Sequence, residues 1–264
     1  MPYRVDLRNA SHDTLDRLIE LGAIDAESSG DGSIAALMPD RVSPEQVAGV
    51  LGVDDVAISP AIGRDDGSVW VLSPQTIRIG SLRIVPARTD AEPGDLKLID
   101  AAAFGTGLHP TTALCLEALE AAVEVARPES VLDVGTGSGV LALAALVLGV
   151  PRAVGIDIDD EALHVAAENA RINKLSDRLQ LAHGGPETIN GAWPLVFANV
   201  LAAPLIEMAP ALVRRVGHHG QLVLSGIATS VEENVDEAYV RLGMQRLRAT
   251  SRAGWVALVM QATW

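Results

Sequence analysis

Cysteine is almost missing from this chain. Cys115 stands alone among 264 residues, which excludes an internal disulfide and any cysteine-rich metal site. Aromatic residues make up 3% of the total, so the core has to be aliphatic, and the 48% hydrophobic content supplies enough Ala, Val, Leu and Ile to build one. Basic side chains are in short supply, 20 Lys and Arg against 34 Asp and Glu. A net charge of −14 argues against a protein that holds nucleic acid by neutralising phosphates, so no direct nucleic-acid partner is expected. The same charge favours solubility and suits a basic partner by long-range attraction. No secretory signal is read at Met1-Pro2-Tyr3-Arg4-Val5-Asp6, which lacks an apolar run. The apolar run from Val140 to Val150 is too short to span a bilayer, so no membrane partner and a cytoplasmic location are expected. There is no Ser-His-Asp pattern and no zinc-ligand spacing, and no metal is assigned.

What the chain does have is a strand that feeds a helix through glycines. Ser130 to Val134 reads as a buried strand, Gly135, Gly137 and Gly139 punctuate the turn, and Val140 to Leu148 is a strong helix former. Such a turn brings backbone N–H groups at a helix start close to a ligand. The spacing narrows the choice of nucleotide. A dinucleotide fingerprint needs glycine at position 140, where Val140 stands. Asp133 beside the turn would repel a pyrophosphate and suit a cationic ligand, such as the ammonium and sulfonium of S-adenosyl-L-methionine. Ala153 to Asp157 reads as the next parallel strand, and Asp157 at its end is placed to accept hydrogen bonds from ribose hydroxyls.

Three parts are expected along the chain. Residues 1–62 give strand, helix, strand, helix, strand, the order of a ferredoxin-like α+β unit with one strand unplaced. Residues 63–95 read as a polar linker, Gly63 to Ser68, followed by connecting strands. Residues 96–264 alternate strands and helices from about 110 onward, the mark of an α/β domain with a parallel sheet covered by helices. Its helices are expected near 110–127, 138–149, 160–174, 201–216 and 230–242. The strands are expected near 130–134, 153–157, 178–183, 194–199, 221–226, 243–249 and 254–261, the last two forming a hairpin around Ala253-Gly254.

Two further stretches carry candidate chemistry. In Phe104-Gly105-Thr106-Gly107-Leu108-His109-Pro110-Thr111-Thr112, two glycines make a loop and Pro110 starts a helix, so hydroxyl and N–H donors can fold over a ligand. His109 is the most tempting residue there, against the plainer reading of an ordinary loop histidine. In Leu195 to Leu201, a buried strand ends in the amide Asn199, where doubly wound sheets place ligands. Asn199 could accept a hydrogen bond from an amine, cap the helix after 200, or do both. Asp159 or Asp160 caps the helix after Asp157. His218-His219 gives only a weak metal signal, and Cys115 reads as buried in a helix.

Taken together, these residues resemble the ribosomal protein L-eleven methyltransferases. The run Ala103 to Thr112 is the most specific match. Val131 to Gly139, Gly155 to Asp159, Ala198 to Leu201 and Leu224 to Ile227 follow in order, over about residues 96–262. The resemblance implies a class I, Rossmann-like methyltransferase fold with a seven-stranded sheet and a small N-terminal domain that grips the substrate. By motif position it implies cofactor binding at Thr112, Gly135, Asp157 and Asn199, with Asp133, Gly137, Phe104 and Thr106 grouped around them. It also implies transfer of methyl groups to α-amino or lysine amines of a protein, ribosomal protein L-eleven first, with Asn199 orienting the amine and the enzyme a monomer. Asp100-Ala101-Ala102 and Trp193-Pro194-Leu195 depart from the family pattern. Methylation of another protein's lysine or of a small molecule, and a cofactor-binding module without turnover, stay open as alternatives.

Overall fold

The computed structural model describes residues 3–7, 10, 13–28, 33–53, 56–60, 63–64, 69–70, 76–99 and 109–264. The chain divides into two compact units, Met1–Pro74 and Gln75–Trp264.

The first unit runs β1 (Tyr3–Leu7), α1 (Thr14–Glu20), β2 (Asp25–Ser28), β3 (Ile34–Met38), α2 (Pro44–Leu51) and β4 (Ala57–Pro60), with sheet order β2-β3-β1-β4. That is the ferredoxin-like arrangement, and β2 is the strand the sequence left unplaced. Its residues, Asp-Ala-Glu-Ser, carry no alternating apolar signal, and pairing with β3 makes them a strand. Val5, Leu18, Ala36, Met38 and Val47 form the core of this unit. Ser43 caps α2 with a reciprocal capping box to Gln46, ahead of Pro44 in the first helical turn. Beyond β4, the expected linker is partly structured: β5 (Gly63–Arg64) pairs antiparallel with β6 (Val69–Trp70).

The second unit opens with β7 (Ile77–Ile79), β8 (Leu82–Pro86) and β9 (Leu96–Leu98), a three-stranded sheet of order β7-β8-β9. These strands are not free connectors. Ile79, Leu82, Ile84, Leu96 and Leu98 are buried in the same core as the helices that follow, so the compact unit begins at Gln75 rather than near 96. The order then runs α3 (Pro110–Ala126), β10 (Ser130–Val134), α4 (Val140–Val147), β11 (Arg152–Asp157), α5 (Asp160–Ile172), β12 (Leu179–His183), β13 (Trp193–Asn199), α6 (Ala202–Val213), β14 (Val216–Ala228), α7 (Glu232–Val240), β15 (Met244–Arg252) and β16 (Trp255–Ala262).

The main sheet has seven strands in the order β12-β11-β10-β13-β14-β16-β15. The first five run parallel, and β16 is antiparallel to both its neighbours. This is the class I methyltransferase topology that the resemblance implied. Alternation along the strands divides the core in two. Val131, Phe197 and Val223 face α3 and α4, while Leu132, Val196, Leu222 and Leu224 face α6 and α7. The strand order reverses between β10 and β13, and at such a switch point the chain leaves adjacent strand ends in opposite directions and opens a crevice. Among the described residues, no helix is long and apolar enough to cross a membrane.

Candidate active site

The crevice at the carboxyl ends of β10, β11 and β13 is a cavity of about 630 Å³, within the usual range of ~300–1,000 Å³ for small-ligand sites. The glycine turn forms its floor. Gly135, Gly137 and Gly139 all have positive φ, at 71°, 54° and 79°, so the turn depends on their lack of a Cβ. Gly139 also sits at the start of α4.

Asp157 ends β11 and lines the cavity. Its Oδ2 accepts from the Gly137 N–H at 2.9 Å and its Oδ1 from the Asp159 N–H at 3.1 Å. The carboxylate is thus held in a fixed orientation by two backbone donors, with lone pairs left for a ligand. Asp159 caps α5 by accepting from the Glu161 N–H at 2.9 Å, and it also faces the cavity. Among the described residues, no lysine or arginine lines it.

The opposite wall comes from β13 and the chain after it. Asn199 is half-buried, and its Nδ2 lies 3.5 Å from the Thr112 Oγ1, while its Oδ1 has no hydrogen-bond partner among the described residues. The amide therefore presents a buried acceptor to the cavity. Asn199 is not a helix cap: α6 starts from Leu201, which offers no capping side chain. Val200 is clamped between two glycines. A Cβ on Gly135 would come 2.6 Å from its Cγ1, and a Cβ on Gly226 would come 2.2 Å from its carbonyl oxygen.

His109 closes one end. Its ring caps α3, with Nδ1 accepting from the Thr111 N–H at 3.4 Å and lying 2.8 Å from the Thr111 Oγ1. An unprotonated Nδ1 places the ring proton on Nε2. Burial lowers the imidazole pKa to about 4, so the ring is neutral at physiological pH. Its edge meets Trp255, with centroids 5.2 Å apart. Trp255 lines the same wall, and its indole N–H has no partner among the described residues.

Of the residues expected at the site, Gly135, Gly137, Asp157 and Asn199 converge on the cavity. Asp133 does not reach it. Its carboxyl is buried behind the turn, where Oδ2 accepts from the Thr136 hydroxyl at 2.8 Å and the Ala142 N–H at 3.3 Å. Burial pushes its pKa up to about 6. It braces the turn from behind and does not supply the repulsion of a pyrophosphate expected of it. Thr112 is fully buried and reaches the site through Asn199, and the threonine that lines the wall is Thr111. Phe104 and Thr106, like Asp100 to Ala102, lie outside the described residues.

Sequence reasoning missed Trp255 and the wall formed by Gly184, Gly185 and Pro186. The one signal for Trp255 is a lone indole after a hairpin turn in a chain poor in aromatics. His218 and His219 fall within β14, away from the cavity lining, with their rings in edge contact.

A family model described as ribosomal protein L11 methyltransferase (PrmA) matches residues 68–263. A ribosomal protein L11 methyltransferase from Pelobacter propionicus is 39% identical over 218 residues, covering 79% of this chain and 70% of that one. Its counterpart from Geobacter sulfurreducens is 45% identical over 170 residues, covering 64% of this chain and 55% of the relative. The chain thus spans between 55% and 70% of the length of these two relatives. A crystal structure of a ribosomal protein L11 methylase from Lactobacillus delbrueckii subsp. bulgaricus superposes with a TM-score of 0.66 at 30% identity, covering 72% of this chain and 100% of that one.

Proposed function

The chain belongs to the ribosomal protein L11 methyltransferase family, and from that premise we propose that it moves methyl groups from S-adenosylmethionine to amines of ribosomal protein L11. The observation that carries the reading is the convergence of a ribose-type carboxylate, Asp157, and an unpartnered acceptor, Asn199 Oδ1, across one acid-lined cavity.

The residues suit this cofactor. Asp157, already oriented by two N–H groups, accepts from ribose hydroxyls. The glycine turn lets the backbone approach. Acidic groups, with no cationic side chain among the described lining, favour a positively charged ligand. When bound, S-adenosylmethionine supplies an electrophilic methyl group on a sulfonium sulfur. The protein's task is to bring a neutral amine in line with that methyl. Asn199 Oδ1 accepts an amine hydrogen and points the nitrogen lone pair inward. His109, neutral, adds no competing positive charge beside the amine, and with Trp255 it excludes water from one wall. An α-amino group, with a pKa of about 7.7–8.0, is often neutral at mildly alkaline pH, while a lysine of about 10.4 depends on desolvation to lose its proton. No residue has to serve as general base, because alignment alone can supply roughly 7–11 kcal/mol.

The N-terminal unit is the proposed substrate grip. Residues 1–62 contain eleven acidic and four basic side chains, a charge suited to a partner that itself lies against RNA phosphates. Turnover on the intact substrate should therefore fall as salt rises.

Titration calorimetry should give a clear S-adenosylmethionine isotherm and none for NAD; micromolar NAD binding with no S-adenosylmethionine signal would sink the assignment. In Asp157→Ala, affinity for S-adenosylhomocysteine should drop by about 1.5–3 kcal/mol, the range for a hydrogen bond to a charged group. Unchanged affinity in that variant would put the ribose partner elsewhere.

A further inference from the structure

The helix that starts beside Asp157 does more than cover the sheet. Its buried face runs across the glycine turn: a Cβ on Gly139 would lie 3.1 Å from the Ala166 Cβ. One turn further on is Asn169, fully buried within α5. A buried amide costs free energy unless it is bonded, and this one is bonded at both ends. Its Nδ2 donates to the Ser138 carbonyl at 2.8 Å, and its Oδ1 accepts from the Ile99 N–H at 2.7 Å. Ser138 lies inside the glycine turn, between Gly137, whose N–H holds Asp157, and Gly139, which starts α4. Ile99 directly follows β9.

Asn173, another turn along, is the useful contrast. Its Oδ1 accepts from the Lys97 N–H at 2.8 Å and its Nδ2 donates to the Lys97 carbonyl at 2.7 Å. It pairs with the open edge of β9 as a strand would, its Nδ2 also donates to the Asn169 carbonyl at 2.7 Å, and none of these bonds reaches the turn. The two amides together tie α5 to the stretch 97–99, but only Asn169 also grips the turn.

We infer that Asn169 is a positioning residue for the cofactor site, holding the glycine turn, the Asp157 end of β11 and the exit of β9 in one register. It lies outside the cavity lining and acts through Ser138. This rests on the cofactor reading above, so the test includes an arm that needs no cofactor.

The variants are Asn169→Asp, Asn169→Ser and Asn173→Asp. Each is compared with the wild type at the same pH, because Asp133 and Asp157 at the same turn are present in all of them. At about pH 8 the carboxylate introduced by Asn169→Asp has no proton to donate to Ser138, though it still offers an acceptor to Ile99. Affinity of that variant for S-adenosylhomocysteine should fall about tenfold or more, the scale of losing a buried bond and setting two oxygens against each other. At about pH 5.5 the buried carboxyl takes up a proton, its O–H donates to Ser138, and the gap to wild type should close to about threefold. Asn169→Ser, uncharged throughout, should bind weakly at both pH values. Asn173→Asp, which loses donors to the Lys97 and Asn169 carbonyls but no bond to the turn itself, should stay within about threefold of wild type at both. Without any cofactor, amides of residues 135–143 should exchange faster at the higher pH in both Asn169 variants than in Asn173→Asp. Equal exchange and equal affinity in the Asn169 and Asn173 variants would overturn the inference and leave Asn169 a packing residue. A wild type that does not bind S-adenosylhomocysteine would fail the cofactor reading, and the exchange comparison alone would then decide whether Asn169 holds the turn.

Discussion

Asn199→Ala is expected to lower the methyl-transfer rate by about a hundredfold to a thousandfold, the cost of removing one preorganised hydrogen-bonding group from an active site. The expectation comes from a single feature. Asn199 stands at the end of β13 with its Nδ2 turned toward the buried Thr112 hydroxyl and its Oδ1 left without a partner among the described residues. An acceptor held in that way is ordered before the substrate arrives, so in the proposed mechanism the amine would be oriented by a group that does not have to move. The loss should fall mainly on kcat, because a group that aligns the nucleophile acts on the reacting geometry more than on ground-state binding. Single-turnover kinetics at saturating cofactor would check it. A variant that transfers methyl groups at the wild-type rate would remove Asn199 from the mechanism.

Gly226→Ala should do comparable damage by a different route. Gly226 has a φ of 82°, and a Cβ there would lie 2.2 Å from the Val200 carbonyl oxygen. Backbone cannot swing away as a flexible side chain can. The methyl group must push the Val200 segment off its seat, and Gly135 already confines that residue from the other side. Overpacking and backbone strain together are worth about 2–5 kcal/mol, and for a domain of this size that lowers the melting temperature on the order of 10 °C. Because Val200 and Leu201 line the cavity, cofactor affinity should fall as well. Calorimetric melting together with a titration would test both parts. Wild-type melting and binding would mean that the 199–201 segment relaxes freely and is not clamped.

The central unit is legible in the sequence because its signals are local. The strand at 130–134, the glycine turn, Asp157 at the next strand end and the hairpin at Ala253-Gly254 each depend on residues adjacent in the chain. The hairpin turn has positive φ at both positions, 51° and 76°. What could not be read depends on neighbours far along the chain. The strand Asp25–Ser28 has no apolar alternation and exists through its pairing with Ile34–Met38. Asp133 looks like a ligand group because it is an acid at a strand end, and only the packing of α4 shows it turned inward to the Ala142 N–H. Asn169 carries no local signal, because its partners lie 31 and 70 residues away. Trp255 joins His109 from the far end of the chain, a contact no periodicity announces. The strands over 77–86 read as connectors because each is short, and their burial against α3 and α4 makes them part of the second unit.

The most direct test of the proposed function is transfer of isotopically labelled methyl groups from S-adenosylmethionine to purified ribosomal protein L11, with the modified positions mapped by mass spectrometry. The expected result is label on lysine or α-amino nitrogens of that protein, dependent on Asn199 and reduced by salt. Label absent from L11 but present on another protein or a small molecule in a cell extract would contradict the proposed substrate. Absence of transfer to any acceptor, with S-adenosylmethionine still bound, would contradict the proposed chemistry.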